Sequence, residues 1–144
     1  MNDVDYYKDS PHPAQQASFL SMRNVMAKNK ATWLTLFASD AVLQDPVGKS
    51  PLDPSGLGHR GEAIGRFWDT AIASVVNIRV RESYPAADEC ANLCTVTQPL
   101  PNGKTADASF IVVYRVNAEG KVVSLRAFWD YDATMARMQA QMAS

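Results

Sequence analysis

Residues Glu62 to Arg81, EAIGRFWDTAIASVVNIRVR, change their hydrophobic period part-way along, and that change sets the class of the fold. Ile64, Phe67, Trp68, Ala71, Ile72 and Val75 recur at i, i+3, i+4, i+7, i+8 and i+11, the stripe of a helix that lies on a sheet. From Val76 the period is two. Val76, Ile78 and Val80 alternate with Asn77, Arg79 and Arg81, so a strand with one wet face follows the helix. Turn residues at Pro85-Asp88, Pro99-Gly103 and Asn117-Gly120 then divide the chain into strands near 89–98, 105–116 and 121–130, joined as antiparallel hairpins. A closing helix over Ala133 to Ser144 carries Met135, Met138 and Met142 on one face. Upstream, the breaker-rich Ser10-Pro11-His12-Pro13 precedes a helix from Ala14 to about Lys28, with Phe19, Met22 and Met26 at helical spacing. Asn29 is placed to cap a second helix that carries Trp33, Leu34 and Phe37 inward and ends near Ser39-Asp40. Ala41 to Asp45 reads as a short strand stopped by Pro46, and the glycine- and proline-rich Val47 to Gly61 as a long loop. This order makes the class α+β: a cone-shaped, curved, antiparallel or mixed sheet wrapped around helices. The open end of such a cone is apolar, a usual place for a small-molecule pocket.

Composition narrows the function classes. A chain of 144 residues, 47% hydrophobic and 20% charged, matches one ordinary globular domain and not a disordered segment. We expect an N-terminal arm over 1–13 and a single domain over 14–144. Lys+Arg 14 against Asp+Glu 15 is balanced, and the basic residues are scattered, which argues against nucleic acid as partner. No run approaches the ~20 apolar residues of a membrane span, and the N-terminus MNDVDYYKDSPHP is polar where a signal peptide is basic and then apolar, so the expected location is the cytoplasm, away from membranes. Cys90 and Cys94 fall four residues apart on one expected strand, about 13 Å, too far for a disulfide and with no companion ligand for a metal. His12 and His59 lie far from any acid cluster, so neither a metal nor a cofactor is expected.

Asp45, in AVLQDPVGKS, ends a strand beside a Pro-Val-Gly turn in apolar surroundings. Burial there would raise its pKa toward the range in which a carboxylate both takes and returns a proton. The other reading is a turn starter whose oxygen bonds nearby backbone N–H groups. The stretch Leu36-Phe37-Ala38-Ser39-Asp40-Ala41-Val42-Leu43-Gln44-Asp45-Pro46-Val47-Gly48, then Gly61-Glu62-Ala63-Ile64 through Phe67, then Asn117 to Trp129 (NAEGKVVSLRAFW), resembles bacterial ketosteroid isomerase. The likeness runs from about Gln15 to Trp129. It implies the nuclear transport factor 2-like, or SnoaL-like, cone, and it implies that Asp45 is the general base that moves a proton on a steroid.

That chemistry also needs donors for the developing oxyanion, one Tyr and one protonated Asp in the isomerases. By ungapped counting these fall at Ser21 and Val112, so both family donors are absent. Tyr114 is two residues past Val112 and shares its face, which makes it the best local phenol; Asp107 is five residues before and faces away. Tyr6 and Tyr7, in the arm, have no motif that places them. The resemblance puts Trp129 on the pocket wall and Trp68 where some isomerases have a supporting Tyr, and Phe67 adds apolar surface beside it. His59 and Arg60 read as solvated loop residues. Asp130 suggests the epoxide hydrolase branch, but Arg79-Val80-Arg81 lacks the acid that branch requires. The expected ligand is a small apolar molecule, steroid-like or polyketide-like. The readings that remain are an isomerase-like enzyme, a non-catalytic binder of the same shape, and a dehydratase or hydrolase. An apolar outer sheet face, together with the resemblance, leads us to expect a homodimer.

Overall fold

The computed structural model describes residues 7–143. Helix α1 (Pro13–Met26) opens with proline at its first position, where the missing N–H costs nothing. Its buried residues Ala14, Ala17, Ser18, Ser21, Met22 and Val25 form one stripe against the sheet. Helix α2 (Lys30–Thr35) is capped by Asn29, whose side chain accepts the Thr32 N–H at 3.2 Å. Strand β1 is Phe37–Gln44, β2 is His59–Arg60, and α3 is Glu62–Phe67, which continues as a π-helical turn over Trp68–Ile72. Then follow β3 (Asn77–Ala86), β4 (Glu89–Pro99), β5 (Thr105–Val116), β6 (Val122–Phe128) and helix α4 (Tyr131–Ala143).

The six strands form one sheet in the order β2-β1-β6-β5-β4-β3. Every neighbouring pair is antiparallel except β1 and β6, which run parallel, so the sheet is mixed. Register breaks at Val80/Glu82 in the β3–β4 pair, at Arg115/Val116 in β5–β6 and at Phe37/Val42 in β1–β6 bend the strands, and this curvature closes the sheet toward a cone. The core lies on the concave side, where Leu43, Cys94, Val112, Tyr114, Leu125 and Ala127 face α1, α2 and α3. No helix among the described residues is long and apolar enough to cross a membrane. Cys90 and Cys94 are free thiols buried on the concave side of β4.

Five sequence expectations need correction. The second helix ends at Thr35, not near Ser39-Asp40, because the Leu36 carbonyl accepts the Val122 N–H and the chain joins the sheet from there. Phe37 therefore opens β1, and Leu34 is exposed. Val76 is 53% exposed: it precedes β3, and inward alternation begins only at Ile78. The loop 47–61 contains β2, whose His59 and Arg60 pair with Leu43 and Val42. The third helix is not α-helical throughout, since the π turn takes it over from Trp68. Pro85, expected in a turn, lies within β3, an edge strand that tolerates the missing donor.

Candidate active site

A cavity of about 370 Å³ opens between the concave face of the sheet and α1, the π turn and α4. Strand parity aims the residues that carry its chemistry. Leu43 points inward on β1, so Asp45, two residues on, is sent to the same side. The backbone behind it is tied to the sheet by the Val47 N–H, which donates to the Ala127 carbonyl at 3.0 Å. Trp129, one residue beyond β6, donates its indole N–H to Asp45 Oδ1 at 2.6 Å. Asp45 keeps part of its surface open to the cavity, while the surrounding protein desolvates the carboxylate and raises its pKa; the Trp129 hydrogen bond pulls the other way. The carboxylate is thus a base strengthened by its surroundings and oriented by an indole.

Tyr114 enters from β5 on the face it shares with Val112 and Val116, all three buried. Its hydroxyl lies 2.8 Å from Ser21 Oγ on α1, and Ser21 Oγ also accepts the Trp33 indole N–H at 3.0 Å. Ser21 and Tyr114 own two hydroxyl hydrogens, and one of them is used between the two oxygens. Since Trp33 only donates, the other hydrogen remains for an oxygen placed in the cavity that both residues line. Burial first, and the nearby Asp45 carboxylate among lesser causes, push the phenol well above its usual pKa against the opposing Ser21 hydrogen bond, so it stays protonated and acts as a donor.

Of the residues singled out in the sequence, Ser21, Asp45, Phe67, Val112, Tyr114 and Trp129 all line this cavity. Trp68 does not. It is buried behind Trp33, ring centroids 5.0 Å apart, and Trp33 presents the wall in its place. Asp107 faces away and accepts from Thr97 Oγ1 at 2.7 Å. His59 packs on the Phe67 ring at 4.7 Å, and Arg60 is exposed. Asp130 caps α4 by accepting the Ala133 N–H at 2.8 Å. Tyr7 packs against Phe19, ring centroids 4.7 Å apart and planes tilted; Tyr6 lies outside the described residues. Sequence reasoning missed Trp33 and Gln98 as lining residues, although Gln98 shares the parity of inward-facing Cys94 and Val96. Among the described residues no group of three or more His, Cys, Asp or Glu is placed to hold a metal ion.

The sequence profile of the SnoaL-like domain matches residues 20–125, well over half of the chain. The chain belongs to the SnoaL-like family. Its fold is the nuclear transport factor 2-like cone that the sequence resemblance implied. Among solved structures, this SnoaL-like chain is similar to RV0760c from Mycobacterium tuberculosis, with 37% identity and a TM-score of 0.78 over 84% of this chain and 93% of that one. RV0760c is also known in complex with estradiol-17beta-hemisuccinate. A Delta 5-3-ketosteroid isomerase from Mycobacterium sp. has 32% identity and a TM-score of 0.77, over 85% of this chain and 96% of that one. A computationally designed 17-OHP binder has 36% identity and a TM-score of 0.78, over 84% and 94%.

Proposed function

We propose that the protein binds a flat, apolar, oxygen-bearing molecule of the steroid or polyketide kind and that Asp45 moves a proton on it within the cavity. The observation that carries this reading is a desolvated carboxylate, held by Trp129, in the same cavity as the spare hydroxyl hydrogen of the Ser21–Tyr114 pair. A base removes a proton next to a carbonyl only if the oxygen that gains charge is stabilised, and this pair supplies one donor. The same reading includes a homodimer in the cytoplasm. No cofactor takes part in it.

Rate follows from donor count. General-base assistance supplies roughly 10²–10⁴-fold, and one missing oxyanion donor removes about 10²–10³ in kcat. Val112 stands where the resembled isomerases have their second donor, so isomerisation of a 3-keto-Δ5 steroid should be detectable and slow. Asp45→Asn should abolish it while steroid binding, driven by apolar burial at ~25 cal/mol per Å², survives. Val112→Asp, on the same face as Tyr114 and about 7 Å along the strand, should raise turnover at least tenfold. Ser21→Tyr is the poorer variant, because Tyr114 already stands 2.8 Å from Ser21 Oγ. Turnover indifferent to Asp45→Asn would remove the base from this account. It would leave the second reading, a non-catalytic binder, which the apolar Val112 in place of a donor favours.

A further inference from the structure

Besides Thr70, Tyr131 and Thr134, the oxygen- and nitrogen-bearing side chains that line the cavity fall into two groups. The inner one is two hydrogen-bonded pairs, Ser21 with Tyr114 and Asp45 with Trp129. The other is at the rim: Ser74, between the π turn and β3, donates its hydroxyl to Gln98 Oε1 on β4 at 3.2 Å. Both residues line the cavity. Gln98 continues the inward face of β4 after Cys90, Asn92, Cys94 and Val96, and it is the only member of that series that is not buried. In the register of the sheet, Phe110 stands opposite Cys94 and Ala106 opposite Gln98, and Trp129, which holds Asp45, packs on Phe110 at 6.5 Å, so Asp45 lies about four residues, roughly 13 Å, from Gln98 along the sheet. The wall between them, Cys94, Val96, Ile78, Ile72 and Ala108, offers no oxygen or nitrogen side-chain atom.

A glutamine at an inward position has a specific consequence. The Ser74 hydroxyl takes one lone pair of Gln98 Oε1 and fixes the amide, which leaves its NH2, a donor only, without a partner among the described residues. We infer that Gln98, positioned by Ser74, is a second ligand subsite that recognises an acceptor oxygen, carbonyl or ether, at the end of the ligand remote from Asp45. The inference rests on the proposed function and narrows it: the ligand is rigid, apolar in its middle, and oxygenated at both ends. Asp45 and the Ser21–Tyr114 pair act on one end, and Gln98 selects for the other.

Estrone and its 17-deoxy counterpart test this, since they share the phenol and the ring skeleton and differ only in the distal ketone. Binding is read by quenching of tryptophan fluorescence and by calorimetry. The wild-type protein should prefer estrone by about three- to tenfold, the factor that one neutral hydrogen bond supplies. Gln98→Leu should bring the ratio to about one. Gln98→Glu, which has no hydrogen to donate and sets a charge against the ketone, should bring it below one, and Ser74→Ala should lower it part of the way. Equal binding of the two steroids by the wild-type protein, or a preference that survives Gln98→Leu, overturns the subsite and leaves the steroid-binding reading intact. If neither steroid binds, the subsite and the proposed function fall together.

Discussion

Asp45 is under two opposed influences, and their balance has a sign that can be measured. Burial raises its pKa above the ordinary carboxylate value near 4, and the Trp129 indole lowers it by less. Between the unfolded value and the raised folded value, the folded chain holds a proton that the unfolded chain has released. Stability therefore falls as pH rises through that window, and the full penalty persists above it. Asp45→Asn removes the charge and keeps an oxygen for the indole, so it should stabilise the protein at pH 7 by about 0.5–2 kcal/mol, a few degrees in Tm. The gain should vanish as the pH is lowered to about 4, and a thermal melt series of both proteins across that range checks it. Any turnover should show the complementary profile, rising with pH as Asp45 loses its proton. Tyr114 was legible in the sequence through strand parity, since a residue two along from an inward one is also inward, and Asp45 through its place at a strand end before Pro-Val-Gly and through the resemblance; both line the cavity. The Ser21–Tyr114 bond was not legible, since its partners are 93 residues apart and meet only when α1 lies on the sheet. Trp68 was not legible as lying behind Trp33 for a related reason, since a helical stripe says which residues face inward but not which of two neighbouring indoles stands in front.

Helix α4 is an element whose packing and role diverge. It has no buried residue, yet Tyr131, Thr134, Met135 and Met138 line the cavity, so one wall of the pocket is a helix with little of its own surface in the core. Deleting residues 131–144 should consequently leave the fold in place, with Tm lower by only a few degrees. Affinity for an apolar ligand should drop about tenfold or more, as the loss of roughly 60 Å² of apolar contact at ~25 cal/mol per Å² implies. Circular dichroism melts beside binding titrations separate the two effects; an unchanged affinity would show that the methionines do not touch the ligand. Met135 and Met138 line the cavity on the face their spacing marked, whereas Met142 is exposed; the three long hairpin strands were legible too, since their boundaries depend on local turn residues. The end of α2 and the existence of β2 were not. Both are decided by pairing with distant strands, β6 for the chain after Leu36 and β1 for His59 and Arg60, which no local period reports.

At the scale of the whole molecule, the convex face of the sheet carries an apolar pair at its centre. Ile111 on β5 stands opposite Phe128 on β6, and they are 46% and 44% exposed. Covering such a pair against a second copy would need about 800 Å² from each protomer. Sedimentation at micromolar concentration should accordingly give twice the 15.8 kDa of one chain, and Ile111→Glu with Phe128→Glu should return it to one; a wild-type monomer would count against the homodimer. The mixed sheet also bears on how the molecule comes together. Strands β3 to β6 follow one another as hairpins, whereas β1 must reach β6 across the whole of that meander, Val42 beside Ser124. Local pairings close cheaply and early, and the long-range parallel one carries the larger loop-closure cost and so comes late. A chain caught on the way to the native state would then possess the greasy trough without its carboxylate, because Asp45 arrives with the last strand to dock.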